Sequence, residues 1–309
     1  MKLEGIHHVT AITADAQDNI DFYAGVLGLR LVKKTVNQDD PTVYHLFYAD
    51  EDGSAGADIT FFEFPGVPNG RPGDGMVHEI AWRVASPEAI DFWAERLGGR
   101  GVETHRGEST LVLQDPEGLQ HVLRVSTVDD PALSAEHPDI PRELALQGFD
   151  GVRAFSSRPQ ASEGLLRELG FEPGNDRFTE HSWEARGAER GGTIAYDEPP
   201  EERGLQGAGT VHHVAWASTQ EEHDAWRERI TAGGAHPTPV IDRFYFRSIY
   251  FREPSGVLFE IATLGPGFAV DEPQESLGEK LSLPPDYEHL RSQVEANLKP
   301  VHSPRQVAA

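Results

Sequence analysis

Hydrophobic and polar positions along the chain form a pattern that returns four times. Residues 5–13 read GIHHVTAIT and 209–217 read GTVHHVAWA, stretches in which apolar and β-branched residues alternate at the period of a strand. Residues 75–83, GMVHEIAWR, match the latter closely, and 148–155, GFDGVRAF, form a weaker copy. After each copy comes a residue able to cap a helix, a stretch with apolar residues at helical spacing, and a glycine stop. This predicts helices over 15–27, 86–97, 162–169 and 219–232. Ile20, Tyr23, Ala24 and Leu27 share one face of the first, and Ile90, Trp93, Ala94 and Leu97 one face of the second, so these aromatics read as core. Three short strands should follow each helix. In the second and fourth copies the last two are joined by the tight turns Asp115-Pro116-Glu117-Gly118 and Glu253-Pro254-Ser255-Gly256.

The predicted fold class is therefore α+β, built from four βαβββ modules. They divide into an N-terminal domain at 1–128 and a C-terminal domain at 148–264, two modules each. A linker at 129–147, rich in proline and acid, separates them, and a tail at 265–309 carries a helix over 286–298.

Composition narrows the function classes. With 51 Asp plus Glu against 27 Lys plus Arg among 309 residues, the net charge of −24 repels phosphate backbones and anionic lipid, so nucleic acid and membrane are not expected partners. No run reaches the ~18 apolar residues of a membrane span, and the N-terminus lacks a basic region followed by an apolar stretch, so a cytoplasmic protein is expected. Zero cysteines exclude disulfides, zinc–thiolate sites and thiol nucleophiles, leaving His, Asp and Glu as ligands for any metal. No glycine-rich dinucleotide or phosphate loop is present, and no organic cofactor is expected.

Candidate chemistry comes from aligning the repeats. One column reads His8, Glu79, Gly151 and His213, so two of the 14 histidines occupy equivalent positions inside apolar strands. His105, His137, His236, His289 and His302 lie in polar loops and tails and read as solvated. Glu260 sits within Val257-Leu258-Phe259-Glu260-Ile261, where a buried carboxylate needs a cation or a shifted pKa. Two histidines and one carboxylate on adjacent strands form the facial triad of non-heme Fe(II) oxygenases, which leaves about three metal positions open. Strand alternation puts Thr10 on the face of His8, and turn pairing puts Tyr250 beside the strand of Glu260. The same alternation points His7 and His212 to the opposite face.

The His-His-Val strand openings, the Pro-containing turns, the stretch TVYHLFYADEDGSAGADITFFEFPG at 42–66, the run DRFYFRSIYFREPSG at 242–256 and the tail DEPQESLGEKLSLPPDYEHLR at 271–291 resemble the vicinal oxygen chelate superfamily. Within it they resemble the ring-cleaving branch that includes the hydroquinone 1,2-dioxygenases. The resemblance implies sheets curled into two half-barrels, with His8, His213 and Glu260 as ligands of Fe(II), or of Mn(II) as a substitute. It assigns Arg243 and Tyr250 to the substrate pocket and places His7 and His212 behind the ligands. Other readings are a surface ion pair for Arg243 and a core aromatic for Tyr250. The expected partners are a hydroquinone- or catechol-type aromatic and O2, with a homo-oligomer compatible with the pattern. Modules one and four should pair around the metal, and modules two and three should form scaffold. Two alternatives stand beside the dioxygenase: a non-catalytic binding protein of the same fold, and a glyoxalase-like isomerase using Glu63, which falls in the column of Glu260 when the Phe-Phe-Glu strand is aligned with Leu-Phe-Glu.

Overall fold

A computed structural model describes residues 1–176 and 179–304; the last five positions of the expected tail lie outside the described residues. Each repeat becomes a strand, a helical segment and three further strands. Module one holds β1 (Ile6–Thr13), β2 (Arg30–Asn37), β3 (Asp40–Ala49) and β4 (Asp58–Glu63). Module two holds β5 (Val77–Val84), β6 (Thr104–Arg106), β7 (Thr110–Gln114) and β8 (Gln120–Val125). Module three holds β9 (Phe149–Phe155), β10 (Glu172–Pro173), β11 (Ser182–Arg186) and β12 (Gly191–Asp197). Module four holds β13 (Val211–Ser218), β14 (Ile241–Asp242), β15 (Arg247–Arg252) and β16 (Leu258–Thr263). The glycine that opens each repeat, at 5, 75, 148 and 209, has φ between 74° and 84°, a left-handed conformation that glycine adopts at little cost.

The modules assemble into two eight-stranded sheets. In the first the order is β14-β15-β16-β13-β1-β4-β3-β2, so modules four and one are joined through the antiparallel pair β1–β13. In the second it is β10-β11-β12-β9-β5-β8-β7-β6, joining modules three and two through β5–β9. Within every module the first strand pairs in parallel with the last. Each sheet thus draws on both halves of the chain. The α+β vicinal oxygen chelate fold expected from the sequence is the fold observed, with one of its two sheets, rather than both, a half-barrel. One apolar core runs through both sheets around Trp82, Trp93, Trp216 and Trp226, each fully buried. Burial of such a side chain stabilises by roughly 2 kcal/mol or more.

The helices depart from expectation at their ends. Asp15 caps the first as predicted, accepting from the Gln17 and Asp18 N–H groups, but α1 (Ala16–Ile20) passes into a π-helical stretch at Asp21–Val26. The helix α2 (Pro87–Gly99) starts after Ser86 and runs two residues past the predicted stop. In module three, α3 (Glu163–Glu168) follows a 3-10 turn at Pro159–Ser162, because Ser162 spends its hydroxyl on Glu253 and Ser255 rather than on a cap. In module four, α4 (Trp226–Ala232) follows a 3-10 turn at His223–Ala225, shortening the predicted helix at its start. The tail forms a 3-10 segment at Pro285–Leu290 and then α5 (Arg291–Asn297).

That tail lies along β2 and β3, where it takes up hydrogen-bonding groups that an edge strand would otherwise expose. The Ser282 N–H donates to Lys34 O, the Tyr44 hydroxyl to Lys299 O, and the Tyr287 hydroxyl to Gln38 O at 2.6 Å. Lys33, fully buried, is neutralised from the tail by Asp271 at 2.7 Å and by Glu272. Among the described residues no helix is long and apolar enough to cross a membrane.

Candidate metal centre

β1 and β13 run side by side at the middle of the first sheet, with β16 beside β13, so His8, His213 and Glu260 come from three neighbouring strands. All three side chains are buried. A Glu260 carboxylate oxygen lies 2.9 Å from His213 Nε2 and 3.3 Å from His8 Nε2, and the two imidazole nitrogens are 3.2 Å apart. Cis donors around an ion at ~2.1 Å are themselves about 3.0 Å apart, so this near-equilateral triangle has the size of one face of a coordination polyhedron. Neither oxygen of Glu260 receives an aligned hydrogen bond, although the residue is wholly buried. Burial works to raise its carboxyl, but the two imidazoles outweigh burial and hold it well below the usual carboxylate range. An anionic carboxylate without donors and two converging nitrogens fit a divalent cation.

His7 and His212 do not point away as regular alternation requires. The β1–β13 pairing slips between Ile6 and His8, and again between Thr10 and Ala11, leaving His7 and His212 as the extra residues of two β-bulges. Each bulge turns its histidine back toward its neighbour: His7 Nδ1 is 2.9 Å from His8 Nδ1, and His212 Nδ1 is 2.8 Å from His213 Nδ1. His7 Nε2 faces the Thr263 carbonyl at 3.1 Å and so carries its proton there. His7 Nδ1 must then accept from the His8 Nδ1–H, which leaves the His8 Nε2 lone pair directed at the triangle. Asp58, in register with His8 on β4, brings a carboxylate oxygen within 4.8 Å of ring nitrogens on His7 and His8. Its side chain is buried and had no sequence signal.

One side of the triangle opens on a cleft with about 430 Å³ between its walls, solvent at its mouth included. Phe47, Phe62, Tyr245 and Phe246 give it apolar surface, and Phe246 packs 5.1 Å from the His8 ring. Tyr250 stands directly across the β15–β16 pair from Glu260, its ring 5.7 Å from that of His213. Burial and Glu260 raise its hydroxyl pKa, only partly offset by Arg243, so it is a protonated donor. Arg243 sits on a turn where Phe244 has φ 67°, a strained conformation for a bulky residue. Arg243 Nε is 3.4 Å from the Tyr250 hydroxyl. Its Nη atoms pair with both oxygens of Asp39, at 3.0 and 2.9 Å, so the surface ion pair and the pocket role coexist in one residue. Thr10 lines the cleft but bonds Thr60 Oγ1 at 2.8 Å, and that hydroxyl also holds His45 Nε2 at 2.9 Å. Burial, then His8, His213 and Arg243, hold His45 well below the usual histidine range. His45 and Asp39 lie in segments whose strand pattern carries no chemical signal.

Glu63 corrects the repeat alignment. In register, Thr10 pairs with Thr60 while Ala215, in the same column, pairs with Glu260, so the counterpart of Glu260 is Thr60. Glu63 lies three residues farther along β4, where its Oε1 accepts from the Ala16 N–H at the start of α1.

Comparison with known proteins bears on the whole chain. The family model of the Glyoxalase/Bleomycin resistance protein/Dioxygenase superfamily matches residues 5–121 and 149–261. The chain belongs to that superfamily. Among superfamily relatives, a Bacillus subtilis (strain 168) protein named "Putative ring-cleaving dioxygenase MhqA" is 41% identical, over 97% of this chain and 100% of its own length. The chlorohydroquinone/hydroquinone 1,2-dioxygenase of Sphingobium indicum is 30% identical over 95% of each chain. A solved Bacillus subtilis structure, described as a "putative dioxygenase", superposes with a TM-score of 0.90 at 41% identity, covering 98% of both chains. Glyoxalase I from Zea mays superposes with a TM-score of 0.57 at 13% identity, over 84% of this chain and 92% of its own, which shows the shared fold.

Proposed function

We propose that the chain is a non-heme Fe(II) ring-cleaving dioxygenase acting on a hydroquinone- or catechol-type aromatic, with His8, His213 and Glu260 as metal ligands. The observation that carries this reading is the donor triangle opening onto an aromatic-walled cleft that also presents Arg243 and Tyr250. The full-length relatives named as ring-cleaving dioxygenases support it. Three protein ligands leave positions for a ring oxygen and O2. A bound Fe(II) supplies Lewis acidity toward the ring oxygen and redox activation of O2, and Mn(II) has compatible ligand preferences.

The chain's own groups bind and orient the substrate. The walls formed by Phe47, Phe62 and Phe246 exclude water and hold the ring by its faces. Arg243 stabilises negative charge on a ring oxygen, and Tyr250 donates a hydrogen bond to it. His45, kept neutral by burial and anchored through Thr60, is placed on the wall to hydrogen-bond a diol hydroxyl. Thr10 fixes Thr60 and, through it, the orientation of His45. His7 and His212 orient the ligand imidazoles. Both atoms of O2 enter the product, so no external reductant is consumed.

The test is oxygen uptake by anaerobically iron-loaded protein presented with hydroquinones and catechols. Uptake stoichiometric with ring opening supports the proposal. Isomerisation of a glutathione hemithioacetal with no O2 consumed would establish the glyoxalase reading instead.

A further inference from the structure

Arg243 is the single lysine or arginine among the described residues lining the cleft, and Asp39 already neutralises it. We propose that Asp39 sets the substrate class of this site: by saturating the one guanidinium it admits uncharged aromatic diols and excludes those bearing a ring carboxylate. The inference rests on the diol reading above and deepens it.

The first argument is charge. Counting the triangle and the cleft lining, which Asp58 does not join, Glu260, Asp39 and Arg243 sum to −1, and a divalent ion at the triangle brings that count to +1. One phenolate neutralises that. A carboxylate on the same ring would leave an excess negative charge in a cleft walled largely by Phe47, Phe62 and Phe246. Without Asp39 the site would stand at +2, which matches a phenolate and a carboxylate together.

The second argument is preorganisation. Asp39 lies at the turn between β2 and β3, its side chain 71% exposed but its backbone held in place beside Arg243. Its own N–H donates to Asn37 Oδ1 at 2.9 Å. The neighbouring Gln38 donates from Nε2 to the Arg243 carbonyl at 2.7 Å and accepts at its carbonyl from Tyr287, which belongs to the tail. The turn is pinned to both the strained Arg243 loop and the tail. An incoming carboxylate must therefore compete with an intramolecular one whose effective concentration is about millimolar or higher. The bidentate geometry, with parallel N–O contacts of 3.0 and 2.9 Å, commits both Nη atoms of Arg243 to Asp39 and leaves only its Nε on the Tyr250 side for a ring oxygen.

The experiment compares binding, not turnover. Hydroquinone and 2,5-dihydroxybenzoate are titrated calorimetrically into anaerobic, iron-loaded wild type, Asp39→Asn, Asp39→Glu and the double variant Asp39→Asn/Arg243→Gln. The expected result is a wild type that prefers hydroquinone and an Asp39→Asn variant whose preference shifts toward the carboxylate by at least about tenfold. Asp39→Glu, which keeps the charge, should stay near wild type, and the double variant should lose the gain. An unmoved ratio in Asp39→Asn, a gain that survives in the double variant, or a wild type that binds neither probe would overturn the proposal. Binding with the expected ratios but without O2 uptake would remove the dioxygenase reading and leave the charge rule standing.

Discussion

Single side chains make the sharpest claims about this protein. His8→Ala, His213→Ala and Glu260→Gln are each expected to lower iron affinity by more than the roughly 10- to 100-fold typical of changes behind a metal ligand, read as metal content after gel filtration. His105→Ala, on an exposed strand, should leave it unchanged. Tyr250→Phe keeps the ring that packs beside His213 and removes the hydroxyl 3.4 Å from Arg243, so iron content should hold while turnover falls. Retained turnover would assign Tyr250 to packing. His8, His213 and Glu260 were legible because polar residues inside apolar strands at matching repeat positions need a partner. Asp39 and His45 were not, because they reach the cleft through a turn and through register, neither of which leaves a residue pattern. Glu63 was placed in the wrong column for a related reason: similar residues were aligned, whereas strand pairing sets the counterpart of Glu260 at Thr60.

At the scale of elements, the sequence showed where strands and helices lie more surely than how they are distorted. The two bulges that turn His7 and His212 inward add one residue each to otherwise regular alternation, and nothing local announces them. A histidine on the second sheet shows how tightly the elements join. His121 on β8 accepts from the Trp82 Nε1–H on β5 at its Nδ1, so its Nε2–H donates to the Tyr23 hydroxyl, which in turn donates to Asp115. Burial pushes His121 down to about 3. The unfolded chain takes up this proton below about pH 6.5 while the native protein refuses it until about pH 3, so stability must fall as pH drops through that window. At full weight one such group contributes about 2 kcal/mol of the loss between pH 7 and pH 5. Urea titrations should show His121→Phe less stable than wild type at pH 7, with a smaller decrement on going to pH 5. Equal decrements in both proteins would remove His121 as the source.

For the whole molecule, the fourfold repeat was written plainly in the sequence, and the presence of His8 and His213 in one site already required modules one and four to meet. The wrapping of the tail was not legible, since its contacts are largely made by backbone carbonyls and by a lysine inside an ordinary-looking strand. Lys33 is the measurable handle. Replacing Asp271 by Asn together with Glu272 by Gln leaves a fully buried ammonium without counter-charge and should cost about 3–5 kcal/mol in urea unfolding, whereas Lys33→Met in the same background should recover much of it. Because Lys33 also lies 4.9 Å over the Tyr245 ring, the charge-depleted variant should bind hydroquinone less tightly. The central β1–β13 seam has a further consequence, for synthesis on the ribosome. His8 and His213 stand 205 residues apart, so at ~5–20 residues per second the first strand waits roughly 10 to 40 seconds for the neighbour that completes its ladder. Through that interval β1 presents a bare hydrogen-bonding edge to other nascent chains. On the proposed ligand set, a metal could be captured only once module four has left the exit tunnel. A message truncated before β13 would therefore yield a product that keeps His8 but lacks His213 and Glu260, together with a sticky strand, which makes the last third of the reading frame decisive for the first eight residues.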